Sequence, residues 1–259
     1  MEVLHEYQIK KVIMNKRQRK IRDFFDQAAL EYDRDRSSKG GRIFNELIEI
    51  PATIGLVGNV EKNKKILDIG CGIGSYSKFY GEKLANVTGI DISEKMLEIS
   101  KYKCRHCPNA SFKNTSFKNF TPNKKFDIII GAFMLGYFDD LEFTFQKINS
   151  VLNKKGIAVF SMLHPVRLST IKRTLFSYEI GNYFDEKYYK TDLNMKFGEL
   201  KLRKWNIEDV FNAIKKTNLI VSDIREPIPI KTKSKKFKKE ELLFYKSNPS
   251  VIVFKFEKR

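Results

Sequence analysis

Three glycines that follow a short apolar run are the residues whose spacing is most distinctive for chemistry. The run Lys65–Ile69 contains Asp68 and leads into Gly70-Cys71-Gly72-Ile73-Gly74, after which an amphipathic segment begins at about Ser75. Glycine lets the backbone turn sharply and approach a ligand, because it carries no Cβ that would collide with it. Free N–H groups at the start of a following helix would favour an anionic group such as a carboxylate.

A second signal is the carboxylate of Asp91, which ends the apolar run Val87–Asp91 and precedes Ser93, a predicted helix N-cap. A carboxylate at the tip of the second strand can accept hydrogen bonds from both hydroxyls of a ribose. A dinucleotide site would need Gly-x-Gly-x-x-Gly, whereas here the third glycine comes one residue early. Together the two segments indicate a ligand with a ribose, an adenine and an amino-acid end, but without a pyrophosphate.

The pattern of apolar and polar residues around these motifs predicts the helices and strands that position them. From about residue 63, short apolar runs alternate with amphipathic stretches, which indicates a parallel sheet covered by helices on both faces. Residues 1–62 are predicted to be helical, with one helix from Gly41 to about Ile50 that stops near Pro51. Gly156 is predicted to supply the turn into the fifth strand. The polar, aromatic-rich residues 163–205 are predicted to form an insertion or lid on the substrate side.

Composition limits the class of protein. The chain has 259 residues, a formal net charge of +18 and three cysteines, and its apolar runs are too short to cross a bilayer. A cytoplasmic enzyme without a membrane partner is therefore expected. The basic clusters at 10–22 and 231–239 would suit a nucleic acid, although lysines are scattered along the whole chain. One Cys-x-x-Cys pair, Cys104 and Cys107, supplies too few ligands for structural zinc, so no metal is expected.

At this point the sequence resembles the class I S-adenosylmethionine-dependent methyltransferases, in particular the bacterial small-molecule methyltransferases of quinone and biotin biosynthesis. The segments 66–74, 89–97 and Phe126-Asp127-Ile128-Ile129 are similar to successive signatures of that family, in order and at normal spacing. The resemblance covers residues 24–162 well and the C-terminal region more loosely. It implies a seven-stranded, mostly parallel sheet of order 3-2-1-4-5-7-6, with the last strand antiparallel.

The resemblance also implies S-adenosylmethionine as cofactor and S-adenosylhomocysteine as product. Asp91 would take the ribose, the glycine turn would pass around the methionine part, and Ile92 and Met96 would pack on the adenine. An N-terminal Tyr-Asp element at Tyr32 would close over the cofactor. The full set of expected cofactor-binding residues is Tyr32, Asp68, Gly70, Cys71, Gly72, Gly74, Asp91, Ile92, Met96, Thr115, Ser116, Phe117, Ala132 and Phe133.

Two positions depart from the family pattern. The segment after the third strand usually ends in an acidic residue that contacts the adenine amino group, but here Thr115 and Ser116 stand there. After the fourth strand, relatives often show Leu-His-Tyr, and here Gly136 occupies the histidine position before Tyr137. No catalytic role follows from Gly136.

The acceptor side is predicted less completely. In direct SN2 transfer the sulfonium methyl is already electrophilic, so the protein mainly aligns the reactants, and a base is needed only if the acceptor must lose a proton. His164, just beyond the fifth strand, and Tyr137 are the candidate catalytic residues, although His164 could equally fix the turn before Pro165. Candidate acceptor-binding residues are Tyr183, Tyr188 and Arg167, with Arg173 and Arg203 as further cations.

Three functional hypotheses remain open from the sequence. The first is a methyltransferase that acts on a small molecule, since the aromatic insertion would roof a compact pocket. The second is an RNA methyltransferase, with tRNA as the candidate acceptor, since the net charge is +18 and basic residues cluster at 10–22 and 231–239. The third is a non-catalytic protein that binds the cofactor. The acceptor, the methylated atom, the oligomeric state and the role of the basic 231–239 loop are not determined by the sequence.

Overall fold

The computed structural model describes most of the chain, including the whole sheet and its covering helices. The described residues are 14–37, 43–174, 177–184, 187–190, 199–231 and 237–259. Residues 10–13 and 232–236 of the two basic clusters, and residues 1–13 and 38–42 of the N-terminal segment, lie outside them. The side chain of Arg173 also lies outside the description.

Seven strands form one central sheet in the order β10-β11-β5-β4-β1-β2-β3. These strands are β1 Lys65–Ile69, β2 Asn86–Asp91, β3 Ala110–Asn114, β4 Phe126–Gly131, β5 Leu152–Leu163, β10 Leu219–Arg225 and β11 Val251–Lys258. Within this sheet, only β11 runs antiparallel to its neighbours β5 and β10, and the sheet's other pairs are parallel. Counted within this sheet, β10 and β11 are the sixth and seventh strands, so the predicted order is confirmed.

Eight α-helices accompany the sheet within the described residues. They are α1 Lys16–Ser37, α2 Ile50–Val57, α3 Ser75–Gly81, α4 Glu94–Lys103, α5 Leu141–Val151, α6 Pro165–Leu168, α7 Ile207–Ile214 and α8 Lys239–Ser247. Residues 163–205 add two small antiparallel sheets, β6 (Thr170–Arg173) with β7 (Tyr178–Ile180) and β8 (Tyr188–Lys190) with β9 (Lys201–Arg203). No described helix combines the length and the apolar character that crossing a bilayer requires.

The predicted helix stop at Pro51 is wrong. A π-helical segment, Phe44–Glu49, continues directly into α2, and Pro51 lies in the first turn of α2. The N–H of Ile50 donates to the carbonyl of Asn45, five residues back. Proline is tolerated at the start of a helix, where its missing N–H needs no partner. The wider π turn places Pro51 at such a start, so the chain remains helical through it.

The predicted role of Gly156 is also wrong. Strand β5 begins at Leu152, directly after α5, so Gly156 lies inside the strand and not in a turn before it. Lys155 adopts a positive φ of 58°, and the pairing with β4 shifts register between Phe126 and Ile128. The chain is therefore irregular near Gly156, but the irregularity is a shift of register within the pairing of β4 with β5 and not a turn before β5.

The sheet is apolar on both faces because helices cover both. On one face, Phe145 of α5 packs on Phe160 and Phe256, with ring centroids 6.4 and 4.8 Å apart. On the other face, the π-helical segment and α2 contribute buried aliphatic side chains such as Leu47 and Leu56. Buried strands of this kind read as continuous hydrophobic runs, which is why the sequence located them.

We predict that Phe145→Ala lowers the free energy of unfolding by about 3–5 kcal/mol, because a fully buried ring leaves a cavity among other rings. Phe143→Ala is the matched control, since Phe143 lies on the same helix and is 43% exposed. Its loss should be about 1 kcal/mol or less. Urea unfolding of the ligand-free protein measures both values. Equal losses in the two variants would contradict this account of the core.

Candidate functional site

The glycine turn and Asp91 meet at the carboxyl edge of the sheet. Strands β1 and β2 are parallel neighbours, and Ile69 pairs with Ile90. Gly70, which follows β1, and Asp91, the last residue of β2, therefore lie side by side. Strands β2 and β3 extend the sheet on one side of β1, and β4 and β5 extend it on the other side. The strand order therefore reverses at β1. Ligands of open α/β sheets bind at such a switch point.

The Asp91 carboxylate fastens the glycine turn to the second strand. One oxygen accepts the N–H of Gly72 at 2.9 Å and the other accepts the N–H of Ser93 at 2.8 Å. The turn itself requires glycine, since Gly70 and Gly72 have φ values of 64° and 53°. A Cβ on Gly70 would lie 2.2 Å from the Met134 sulfur. Burial raises the pKa of Asp91 to about 6, and the hydrogen bonds from Ser93 and Gly72 oppose that rise.

Three of the expected cofactor-binding residues lie behind the turn. Asp68 is 2% exposed and accepts the Ser77 hydroxyl at 2.6 Å, so it holds the first turn of α3. Burial raises its pKa to about 7. Cys71 is buried, and burial raises the pKa of its thiol. Gly74 lies against Ser100, whose hydroxyl would be 2.9 Å from a Cβ there. These residues shape the turn from inside, and the structure gives them no surface in the cavity described next.

A cavity of about 390 Å³, the first cavity, opens in front of the turn. The other eleven expected cofactor-binding residues line it, namely Tyr32, Gly70, Gly72, Asp91, Ile92, Met96, Thr115, Ser116, Phe117, Ala132 and Phe133. Its lining suits a nucleoside with an amino-acid end: a carboxylate that can accept sugar hydroxyls, apolar side chains for a base, and bare backbone beside the turn. The volume lies within the range of small-ligand sites.

Thr115 and Ser116 occupy the position where relatives carry an acid. The Thr115 N–H donates to the carbonyl of Asp91 at 2.9 Å, and the Ser116 hydroxyl accepts the N–H of Asn119 at 3.3 Å. Both residues are thus partly used to shape their own loop. The sequence missed Asp139 and Asp140, which line the same cavity from the loop after β4. Asp140 caps α5 through the N–H of Phe143.

Helix α1 is fastened across the first cavity at both sides. Arg17 donates to the carbonyls of Gly136 and Tyr137, at 3.0 and 3.2 Å, and pairs with Asp139. Asp26 accepts the Ser93 hydroxyl at 2.6 Å, just beyond β2. The helix therefore bridges the loops that follow β2 and β4, and it lines the cavity with Tyr32 among other residues. Arg17 and Asp26 of α1 thus hold the helix in place, a role that the sequence alone did not indicate.

A second cavity of about 810 Å³ lies beside the first and reaches under the 163–205 insertion. Four aromatic residues line both cavities: Phe25, Tyr32, Phe133 and Tyr137. A group that leaves the first cavity toward the second would pass these rings. Arg167 and Arg203, two of the candidate acceptor-side cations, line the second cavity.

Phe133 at this junction is held in an uncommon backbone conformation. Its φ is 57°, in the left-handed region that disfavours bulky residues. Its N–H donates to the Ser161 hydroxyl at 2.9 Å, and that hydroxyl donates to Glu49 at 2.8 Å. Glu49 is 1% exposed and also accepts the hydroxyls of Thr53 and Tyr76. Burial raises the pKa of Glu49. Nothing in the sequence signalled this buried network.

His164 is corrected as a candidate base, because the structure turns it away from both cavities. Its Nδ1 accepts the N–H of Val166 at 3.2 Å, so the proton lies on Nε2, which donates to Glu226 at 2.7 Å. Burial lowers the pKa of the imidazole, against the opposing effect of Glu226. Both ring nitrogens are used in capping α6 and in joining it to the strand that precedes Glu226. The turn-fixing interpretation therefore fits His164 better.

Tyr183 and Tyr188 are also corrected, since neither lines the second cavity. Tyr188 is 38% exposed and lies under the Arg203 guanidinium, while Tyr183 contacts Phe184. The cavity residue is Tyr189, because adjacent residues of a strand face opposite ways. A Cβ on Gly136 would lie 3.1 Å from the Tyr189 hydroxyl. The insertion therefore occupies the space that a side chain at position 136 would need.

Tyr137 stands at the junction as a neutral phenol. Burial raises its pKa well above the usual range, so it can donate a hydrogen bond or form a wall but does not act as a base at neutral pH. Cys104 and Cys107 are buried free thiols, and the Cys107 side chain packs against Gly81. Among the described residues, no group of three or more His, Cys, Asp or Glu side chains could hold a metal ion.

Comparison with known proteins agrees with the geometry. A family model for the methyltransferase domain matches residues 15–195. The chain is 32% identical over 118 residues to a ubiquinone biosynthesis O-methyltransferase of Pelagibacter ubique, covering 45% of this chain and 46% of that protein. It is 29% identical over 157 residues to a demethylmenaquinone methyltransferase of Tropheryma whipplei, covering 60% and 64%.

A solved structure shares the fold at lower identity. The S-adenosylmethionine-dependent methyltransferase of Mesorhizobium loti superposes with a TM-score of 0.68 at 24% identity, over 81% of this chain and 97% of that one. The chain spans about half the length of the first curated relatives that it matches. The domain match, which covers more than half of the chain, and the confirmed strand order lead to one conclusion. The chain belongs to the methyltransferase-domain family, the class I S-adenosylmethionine-dependent enzymes that its motifs resemble.

Proposed function

We propose that this protein transfers the methyl group of S-adenosylmethionine directly to a small molecule bound in the second cavity. The observation that carries the proposal is the junction of the two cavities. The first cavity presents the glycine turn and Asp91, and it meets the second at four aromatic side chains. A cofactor on one side and an acceptor on the other would face each other there.

The residues of the first cavity have distinct tasks in this proposal. Asp91 accepts the ribose hydroxyls while it keeps its bonds to the Gly72 and Ser93 amides, since each carboxylate oxygen has more than one acceptor site. Ile92, Met96 and Phe117 pack on the base. The bare backbone at Gly70 leaves room for the amino-acid end, with Met134 packed beside it.

The chemistry needs alignment more than proton transfer. When bound, the sulfonium cofactor supplies an electrophilic methyl group. Holding an acceptor in line with that group can contribute on the order of 7–11 kcal/mol to catalysis. Tyr32, Phe133 and Tyr137 exclude water from the junction and orient the acceptor. His164 takes no part, because it lies outside both cavities and is bonded to Glu226.

A small acceptor is favoured over RNA. The second cavity is lined by described residues of the 163–205 insertion and by α8, and a concave site of this kind suits a compact molecule more than a polymer. Several relatives are methyltransferases of quinone biosynthesis by name. The RNA alternative depends on the net charge of +18 and on the basic clusters at 10–22 and 231–239, and the more concentrated of these, 231–239, is described only at its ends.

We predict that Asp91→Ala weakens the binding of S-adenosylhomocysteine by at least about tenfold, because charge-assisted hydrogen bonds to the ribose are lost. Glu98→Ala is the matched control, since Glu98 is an exposed acid on the adjoining α4 that pairs only with Lys95 among the described residues. It should bind with wild-type affinity. Isothermal calorimetry gives both constants, and unchanged affinity in Asp91→Ala would remove Asp91 from the site.

Affinity should also depend on pH. The pKa of Asp91 is raised to about 6, so the carboxylate is mostly ionised at pH 7 and mostly protonated at pH 5. The ionised form accepts ribose hydroxyls better, and affinity should therefore fall by up to about tenfold from pH 7 to pH 5. Asp91→Asn should show no such fall. Asp68→Asn, which changes a buried acid outside the cavity, should keep it, and a pH-independent wild type would contradict the assignment.

The reaction itself is tested by mass spectrometry. The protein is incubated with a metabolite extract or with total tRNA and with cofactor that carries a deuterated methyl group. The proposal predicts a small molecule that gains the labelled methyl group, with unlabelled tRNA. Labelled tRNA would show the RNA alternative instead, and tight cofactor binding without any labelled product would favour a non-catalytic protein.

A further inference from the structure

The second cavity has a positively charged wall that the methyl transfer itself does not require. Its described lining includes five cationic and two acidic side chains: Arg36, Arg167, Lys172, Lys190 and Arg203 against Asp35 and Glu241. Lys190 is paired with Glu199 at 2.7 Å in an exposed position. Two arginines of the insertion that line this cavity, Arg167 and Arg203, have no acidic partner within the described part of the chain.

Both arginines retain buried donors without a partner. Nη1 of Arg167 and Nε of Arg203 are inaccessible to solvent and find no hydrogen-bond acceptor among the described residues. The Tyr178 hydroxyl, also in this wall, is in the same state. Buried polar groups are nearly always hydrogen-bonded, so unpartnered donors in one wall indicate an absent acceptor. Because these atoms have almost no solvent-accessible surface, the side chains would have to shift toward the cavity for ligand oxygens to satisfy the donors.

Aromatic rings fix the position of both guanidinium groups. Arg167 lies over the rings of Phe44 and Tyr245, at 4.9 and 5.9 Å from their centroids. Arg203 lies over the Trp205 ring at 4.5 Å. Stacking leaves the edge of a guanidinium free to bind a carboxylate or phosphate with two parallel hydrogen bonds. The same rings provide an apolar surface for the rest of a ligand.

We propose that the methyl acceptor is a small organic anion with an apolar, ring-sized body, and that Arg167, assisted by Arg203, binds its anionic group. This inference rests on the proposed function, because it specifies the molecule that occupies the second cavity. Carboxylate and phosphate groups share the chemistry that these arginines recognise. Arg167 follows β5 on α6, and Arg203 belongs to β9, so the anion would join two parts of the insertion.

The chain offers a natural reporter for a test. Trp205 is its single tryptophan and lines the second cavity, where its indole N–H donates to the carbonyl of Leu135 at 3.0 Å. Fluorescence is titrated on the full chain saturated with S-adenosylhomocysteine. Two anionic probes are each compared with a neutral partner of similar shape: 4-hydroxybenzoate with its methyl ester, and phenyl phosphate with phenol. The two arms show whether a carboxylate or a phosphate is preferred.

We expect at least one anion to bind about tenfold or more tightly than its neutral partner, the effect of a charge-assisted hydrogen-bond pair. Arg167→Gln should remove that preference, Arg167→Lys should keep part of it, and Arg203→Gln should weaken it. Arg105→Gln is the matched control, because Arg105 is an exposed arginine that lies over Tyr102 outside both cavities. Each variant is titrated against its own ligand-free signal.

The inference is overturned if neither anion binds better than its neutral partner, or if Arg167→Gln leaves the preference intact. It is also overturned if total tRNA binds in a salt-dependent manner that Arg167→Gln weakens. Calorimetry with S-adenosylhomocysteine separates this failure from that of the proposed function. Wild type and the arginine variants that bind the nucleoside normally would keep the proposed function, whereas a wild type that does not bind it would refute both.

Discussion

The double hydrogen bond from the Gly72 and Ser93 amides to the Asp91 carboxylate is the constraint on which the site depends. It joins the turn after β1 to the loop after β2, and it buries a carboxylate whose pKa is raised to about 6. An acid of this kind is stable only because backbone donors offset part of its desolvation. The same bonds fix the position of the oxygens that face the first cavity. A ligand therefore meets a preorganised acceptor and not a mobile side chain.

Further contacts hold the glycine turn from behind and the helix in front of it. Behind the turn, Asp68 holds the start of α3 and Ser100 donates to the Gly72 carbonyl at 2.6 Å. In front of it, α1 is fastened by Arg17 and Asp26 to the loops beyond β4 and β2. The first cavity is thus covered by α1, a helix that precedes the sheet in the chain and does not connect two of its strands. The position of this helix depends on these polar contacts and on buried apolar side chains of α1 such as Phe24 and Ala28.

The two cavities meet at a junction of aromatic side chains, where the proposed methyl transfer would take place. Phe133, held at φ 57° by the Ser161–Glu49 hydrogen bonds, and Tyr137 stand between them. Backbone strain of this kind persists only where the surroundings impose it, and it concentrates at functional sites. The aromatic wall and the unpartnered arginine donors lie on the far side of that junction. In the proposed function, this arrangement separates a cavity for the nucleoside from a cavity for the acceptor, to which the insertion contributes.

The sequence predicted the first half far better than the second. Strands β1, β2 and β4 are short, mainly apolar runs, the glycines follow β1 directly, and Asp91 ends β2, so the order and the position of these residues could both be predicted from the sequence. Contacts between distant segments were not, such as Glu49 with Ser161, or His164 with Glu226. In the insertion, Tyr188 and Tyr189 differ by a single residue, and only the pairing of β8 with β9 decides which one faces the cavity. The helix through Pro51 was missed because a π turn leaves no mark in residue types.

The most direct measurement is a crystal structure of the protein with S-adenosylhomocysteine. Our account predicts that the ribose hydroxyls lie within hydrogen-bond distance of the Asp91 carboxylate, with the sulfur directed at the junction of Phe133 and Tyr137. A nucleoside bound elsewhere, or a sulfur directed away from the second cavity, would contradict it.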